Sequence, residues 1–138
     1  MQERMPIKSF AAGLLLQLGC AATVLADGQS PAAPLVGDAA RGRLVFAACR
    51  TCHYPESYVG HHNGPSLHRI FGRRAGSTDF AGYSVAMKQA QFDWTPELLD
   101  YWLAHPQQLL RGSTMVSPPL RDAQQRADLI AYLRQASE

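Results

Sequence analysis

The segment FAACRTCHYPE at 46–56 places two cysteines with two residues between them directly before a histidine: Cys49, Arg50, Thr51, Cys52, His53. Side chains at this spacing lie about one helical turn apart, so two sulfurs and an imidazole can share one side of a short helix. Three chemistries use such a trio. They are a zinc site, a dithiol redox switch, and covalent attachment of haem.

A structural zinc site takes four ligands, usually as two spaced pairs. Once an exported leader is removed (below), no second cysteine pair exists, and the adjacent His61 and His62 are awkward to converge on one ion. A thioredoxin-type dithiol needs a βαβ setting, and convincing strand patterns are absent from the sequence. An exported pair could close into a plain disulfide. Covalent haem attachment needs two thiols to add across two vinyl groups and a histidine to meet the iron from the same side, which Cys-x-x-Cys-His delivers. The residues favour one haem c, attached through Cys49 and Cys52.

A haem iron held this way has a second axial position. The candidates downstream are Met87, Met115, His61, His62, His68 and His105. Met87 lies in the short helical run YSVAMKQA, where methionine commonly fills core space. Met115 lies in LLRGSTMVSPPL, an irregular loop whose glycine and prolines let the backbone turn a thioether inward. Ser113 and Thr114 can fasten that loop, so Met115 is the preferred ligand.

Short helices must position these groups. Asp38 caps a first helix running to the cysteine pair, with Ala40, Leu44, Val45 and Ala48 expected on its inner face. Gly42 in mid-helix costs about 1 kcal/mol against alanine, which suits a site where another helix approaches closely. Thr95, Pro96 and Glu97 open a further helix that stops before Pro106. Asp122 and Gln125 form a capping box for the last helix, which carries Ala127, Leu129, Ile130, Ala131, Tyr132 and Leu133. The expected fold is an all-α bundle of short helices and loops, too thin to hold together without something in its middle.

Composition agrees. A net charge of +2 with 17% charged and 46% hydrophobic residues is too balanced for a nucleic-acid binder and too apolar for a disordered chain. A core of this size is small enough for a large cofactor to supply much of the buried apolar surface. The N-terminus reads as an export signal: Arg4 and Lys8, an apolar run over 10–18, then Val24 and Ala26 at cleavage-site positions. Cleavage after Ala26 removes Cys20, leaves 27–36 as a flexible leader, and starts the folded domain, 37–138, near Gly37. An uncleaved anchor over 10–26 is the competing reading, weakened by Gly13, Gln17 and Gly19, and a lipoprotein cut before Cys20 is a third.

From Gly37 to about Gln135 the chain resembles the small soluble class I cytochromes c of bacteria and mitochondria. The pieces that carry the resemblance are CRTCH, GPSLHRIFGR, GYSVAMK, the Trp of FDW, LLDYWLAHP, RGSTM and RADLIAYLR. It implies the class I cytochrome c fold, with His53 and Met115 as axial ligands and the Pro65 carbonyl holding the His53 ring N–H. It also implies that Arg73, Tyr83 and Trp94 serve a haem propionate, and that Trp102 stands beside the Met ligand where the family usually has tyrosine. Phe46, Leu129 and Tyr132 match the contact between first and last helices, with Gly42 at the close crossing.

The implied function is a periplasmic, monomeric, single-haem electron carrier of a respiratory chain, with no enzymatic activity and no membrane span after cleavage. Its partners would be a reductase or dehydrogenase as donor and an oxidase or reductase as acceptor. Two departures matter. Arg111, Ser117 and Pro118-Pro119 alter the Met loop, and Gln107, Gln108 and Thr114 stand where mitochondrial members carry the lysines that dock acidic partners. A dedicated subunit of a larger redox complex, or a gas-binding or weakly peroxidatic haem protein with a loose Met115, are the competing readings.

Overall fold

A computed structural model describes residues 34–137. The signal peptide expected at 1–26, and all but the last three residues of the expected leader, lie outside the described residues. The elements are α1 (Ala39–Phe46), α2 (Val85–Gln89), α3 (Pro96–Ala104), α4 (Pro106–Leu109) and α5 (Ala123–Ala136). Among the described residues there is no strand, only an isolated bridge between Arg74 and Asp93. The fold is all-α.

Each longer helix starts on a side-chain oxygen that satisfies an otherwise unbonded first-turn N–H. Asp38 accepts from the Arg41 amide, Thr95 from Leu98, Ser84 from Met87, and Asp122 from both Gln124 and Gln125. The capping box is half made, because among the described residues Gln125 returns no bond to Asp122. Its neighbour Gln124 instead donates to the Val36 carbonyl and to Asp128, each at 2.9 Å.

Helix α1 packs on α5, and Gly42 sets the register. A Cβ at Gly42 would collide with the backbone carbonyl of Asp128 and with the Tyr132 side chain. One turn on, Phe46 is buried against Leu129, Tyr132 and Leu133, its ring centroid 5.3 Å from that of Tyr132. This corrects the expected inner face of α1. Ala40, Leu44 and Ala48 are exposed, Leu44 by 72%. At about 100° per residue, Ala40 and Leu44 lie some 200° from Gly42, on the far side; only Val45, beside Phe46, turns partly inward. The helix also stops at Phe46, and the chain reaches the cysteines through tight turns over 47–52.

Helix α3 ends at Ala104 and His105 breaks the axis, with α4 following as a single turn begun by Pro106. Leu99 and Trp102 of α3 are buried with Trp94, Ile70 and Ala75 in the rest of the core.

Candidate cofactor site

Backbone bonds build the two-cysteine turn. The Cys49 amide bonds the Phe46 carbonyl at 2.8 Å, and the amides of Cys52 and His53 bond the Cys49 carbonyl at 3.1 and 2.9 Å. Gly64 then donates to the Cys52 carbonyl at 2.9 Å, which ties the turn to the 60s loop. The two thiols are unjoined and partly exposed. Burial, and then the neighbouring Cys52, push the Cys49 thiol above its ordinary pKa, so it stays protonated at neutral pH.

His53 is fixed by the same loop. Its Nδ1 lies 2.8 Å from the Pro65 carbonyl oxygen. A carbonyl only accepts, so Nδ1 carries the proton and Nε2 keeps a lone pair. Burial lowers the His53 pKa, with the Pro65 bond pulling the other way, and the ring is neutral at neutral pH. Gly64 is required here: a Cβ on it would sit 2.5 Å from His53 Cε1.

Ser66, beside Pro65, is held in turn. Its amide donates to His61 Nδ1 at 2.9 Å, and His61 Nε2 bonds Asp79 Oδ1 at 2.7 Å. Both nitrogens of His61 are therefore engaged. Arg73 places one guanidinium arm on the His68 carbonyl and the other on that of Ser66, each at 2.7 Å. Burial lowers the Arg73 pKa, with the Tyr83 charge acting in the opposite sense. The Arg73 carbonyl accepts from the Trp94 amide at 2.9 Å, which joins these two expected site residues back to back. Tyr83 shares a 2.9 Å hydroxyl bond with Thr78. Trp94 stacks edge-on with Trp102, centroids 5.7 Å apart, and with Phe92 at 5.1 Å.

Met115 is half-buried against the core, as is Met87, so burial does not separate the two thioethers. The Met115 amide donates to Ser113 Oγ at 3.2 Å, while Thr114 is exposed. His62 packs on Tyr54 and His105 on Tyr101, both on the surface.

Sequence reasoning missed Gly64, His61, Ser66 and Thr78 as the scaffold of this site. Gly64-Pro65 carried a turn signal; the others reveal themselves only by what they touch. Among the described residues no group of three or more His, Cys, Asp or Glu converges as a metal site. Two unjoined thiols one turn apart, beside a neutral imidazole whose Nδ1 is tied and whose ring displaces even a Cβ at position 64, fit a covalently held haem.

The family model described as Cytochrome c matches residues 39–137. Cytochrome c of Ginkgo biloba is 38% identical over 102 residues, 73% of this chain and 90% of that protein. That of Chlamydomonas reinhardtii is 41% identical over 102 residues, 73% and 91% respectively. Among solved structures, cytochrome cH from Methylobacterium extorquens superposes with a TM-score of 0.66 at 36% identity, covering 72% of this chain and 99% of that one.

Proposed function

The chain belongs to the cytochrome c family, and from that premise we propose that it is an exported, single-haem electron carrier with His53 and Met115 as the axial ligands. The family binds one haem c covalently through two cysteines, and Cys49 and Cys52 are that pair in this chain. The observation that carries the ligand assignment is the 2.8 Å bond from His53 Nδ1 to the Pro65 carbonyl, directly after the two free thiols. It frees Nε2 as a donor to the iron and increases its basicity.

The bound haem supplies an iron that exchanges one electron between ferrous and ferric states. The chain's residues do the rest. Thioethers at Cys49 and Cys52 would keep the cofactor from leaving. A Met115 thioether on the iron would favour the ferrous state, and the buried Trp94 and Trp102, by excluding water, would also disfavour the extra ferric charge. Arg73, Tyr83 and Trp94 would serve a propionate, and Ser113 Oγ holds the Met115 backbone. With His53 and Met115 both holding the iron, no position would be open to a substrate, and the chain would carry electrons rather than act as an enzyme.

Its partners are a reductase or dehydrogenase and an oxidase or reductase, met as a monomer in the periplasm through small, weak interfaces. No helix of the described residues is long and apolar enough to cross a membrane. Val116 is fully exposed and Ser117, Pro118 and Pro119 are exposed beside it. That apolar stretch favours, as a second reading, a dedicated subunit whose complex covers the loop; copurification at native levels separates the two.

The oxidised protein should show the weak near-infrared band of a sulfur–iron bond. Met115→Ala should abolish it, lower the midpoint potential and admit carbon monoxide or cyanide, whereas Met87→Leu should do none of these. A wild type without the band discards Met115 as a ligand.

A further inference from the structure

Two hydrogen bonds of the 60s loop belong to a single peptide group. The Pro65 carbonyl oxygen accepts from His53 Nδ1 at 2.8 Å, and the amide of the next residue, Ser66, donates to His61 Nδ1 at 2.9 Å. In a trans peptide the C=O and the N–H point to opposite sides, so one imidazole grips each end of the same dipole. An amide only donates, so His61 Nδ1 keeps its lone pair and the ring proton sits on Nε2, 2.7 Å from Asp79 Oδ1. Ser66 is buried, and Arg73 Nη2 fixes its carbonyl at 2.7 Å while its hydroxyl bonds the Tyr54 carbonyl at 3.4 Å. These ties keep the Ser66 amide aimed at His61. The His61 side chain is 26% exposed and that of Asp79 94%, so only the far end of the chain of bonds is open to water.

We infer that His61 is a positioning residue for the His53 ligand: it acts through the Pro65–Ser66 peptide group, with Asp79 setting its tautomer. Hydrogen bonds in a chain polarise one another, by about 10–30% per bond. An acceptor on the Ser66 N–H pushes electron density towards the Pro65 oxygen, which then holds the His53 Nδ1 proton more tightly. The His53 ring becomes a stronger donor at Nε2, and a stronger donor favours the ferric state of a bound iron. The inference rests on His53 being an axial ligand. A mere strut between the loops around His61 and Asp79 would hold the backbone as well and leave the ligand's electronics alone.

The test compares wild-type holoprotein with His61→Leu, His61→Asn and Asp79→Asn by two readouts. One is the midpoint potential; the other is the NMR shift of the His53 Nδ1 proton in the diamagnetic ferrous protein. His61→Leu removes the acceptor but no anion, and should raise the potential and move the Nδ1 proton upfield. Asparagine presents its Oδ1 near the place of histidine Nδ1, so His61→Asn should recover most of both shifts. Asp79→Asn should shift both in the same direction as His61→Leu, by less. Its effect should persist at about 1 M salt, where a Debye length of about 3 Å silences the through-space field of an exposed charge. Wild-type values of both readouts in a folded His61→Leu, or no recovery in His61→Asn, overturn the inference. Should His61→Leu give no holoprotein, Asp79→Asn at high salt decides it by the same two readouts. A wild type whose iron-bound imidazole is not that of His53 overturns it together with the ligand assignment.

Discussion

The α1–α5 seam and the loop around Met115 hold their shapes by different means. At the seam, Gly42 admits the backbone of the partner helix, and Phe46, Leu129 and Leu133 are each at most 2% exposed. The buried Asp128 carboxylate accepts from the Asp38 amide at 2.8 Å, from Arg41 Nε and Nη2 at 2.7 and 2.8 Å, and from Gln124. Among the described residues no buried side-chain nitrogen or oxygen of the seam lacks a hydrogen-bond partner. The loop over 111–119 has few such ties: the Ser113 amide to Leu110, Gln107 to the Ser113 carbonyl, the Met115 amide to Ser113 Oγ, and the Ser117 hydroxyl to the Pro118 carbonyl. The seam is complete from its own residues. The loop, in the function proposed above, is completed by the bond its methionine makes.

Breaking the seam should therefore cost stability, and breaking the loop should cost chemistry. The largest effect is expected for Phe46→Ala, which empties a fully packed site and should remove about 3–5 kcal/mol of holoprotein stability, measured by denaturant unfolding. Gly42→Ala comes next, at about 1–3 kcal/mol for overpacking against a backbone carbonyl that cannot step aside. If either is tolerated like a surface change, the seam is not the self-sufficient half.

Acid sharpens the contrast. The Arg41 guanidinium, helped by the Asp38 and Gln124 amides, holds the Asp128 carboxyl far below the usual carboxylate range. Because the folded pKa is depressed, the stabilisation is present above the ordinary carboxylate pKa and is lost as pH falls from there towards the folded value. Asp128→Asn should be less stable than wild type at neutral pH, and the gap in melting temperature should close on acidification. A gap that stays constant through the acid range would show that the carboxylate charge is irrelevant to the seam.

In the loop, Pro119→Gly should change global stability by under about 1 kcal/mol. It should nevertheless lower the pH at which the sulfur–iron band disappears in an alkaline titration, because Pro118 and Pro119 fix φ at successive positions beyond the ligand. Equal alkaline midpoints for variant and wild type would remove the prolines from the account.

The same contrast explains what was legible in the sequence. Asp38, Thr95 and Asp122 announce helix starts because a cap acts on residues two or three positions away. Gly42 was readable as a close approach because glycine in mid-helix needs a reason. The inner face of α1 was misread since Leu44 and Ala40 are apolar, and apolarity alone does not say which side Gly42 must face. Helix α4 went unseen because Pro106, its only marker, had already served as the stop for α3. The Arg73 fork lands on two backbone carbonyls, and acceptors of that kind leave no trace in residue type. The Arg50–Glu56 ion pair joins residues six apart across a turn, where no helical or strand period links them.

The bond from the Asp38 amide to Asp128 spans 90 positions of the chain. In polymer terms the two terminal helices form a clasp, and everything between them, the cysteine turn and the Met loop included, hangs on one closed ring. Closing such a ring becomes harder only logarithmically with its length, about 0.6 kcal/mol for each doubling. Adding a few residues in the exposed segment 57–59 would thus change the closure by a few tenths of a kcal/mol at most, on the same scaling. A shift of one residue within 39–46 would carry Gly42 off the Asp128 carbonyl and undo the clasp. Length is free to drift in that exposed stretch but not at the fastening.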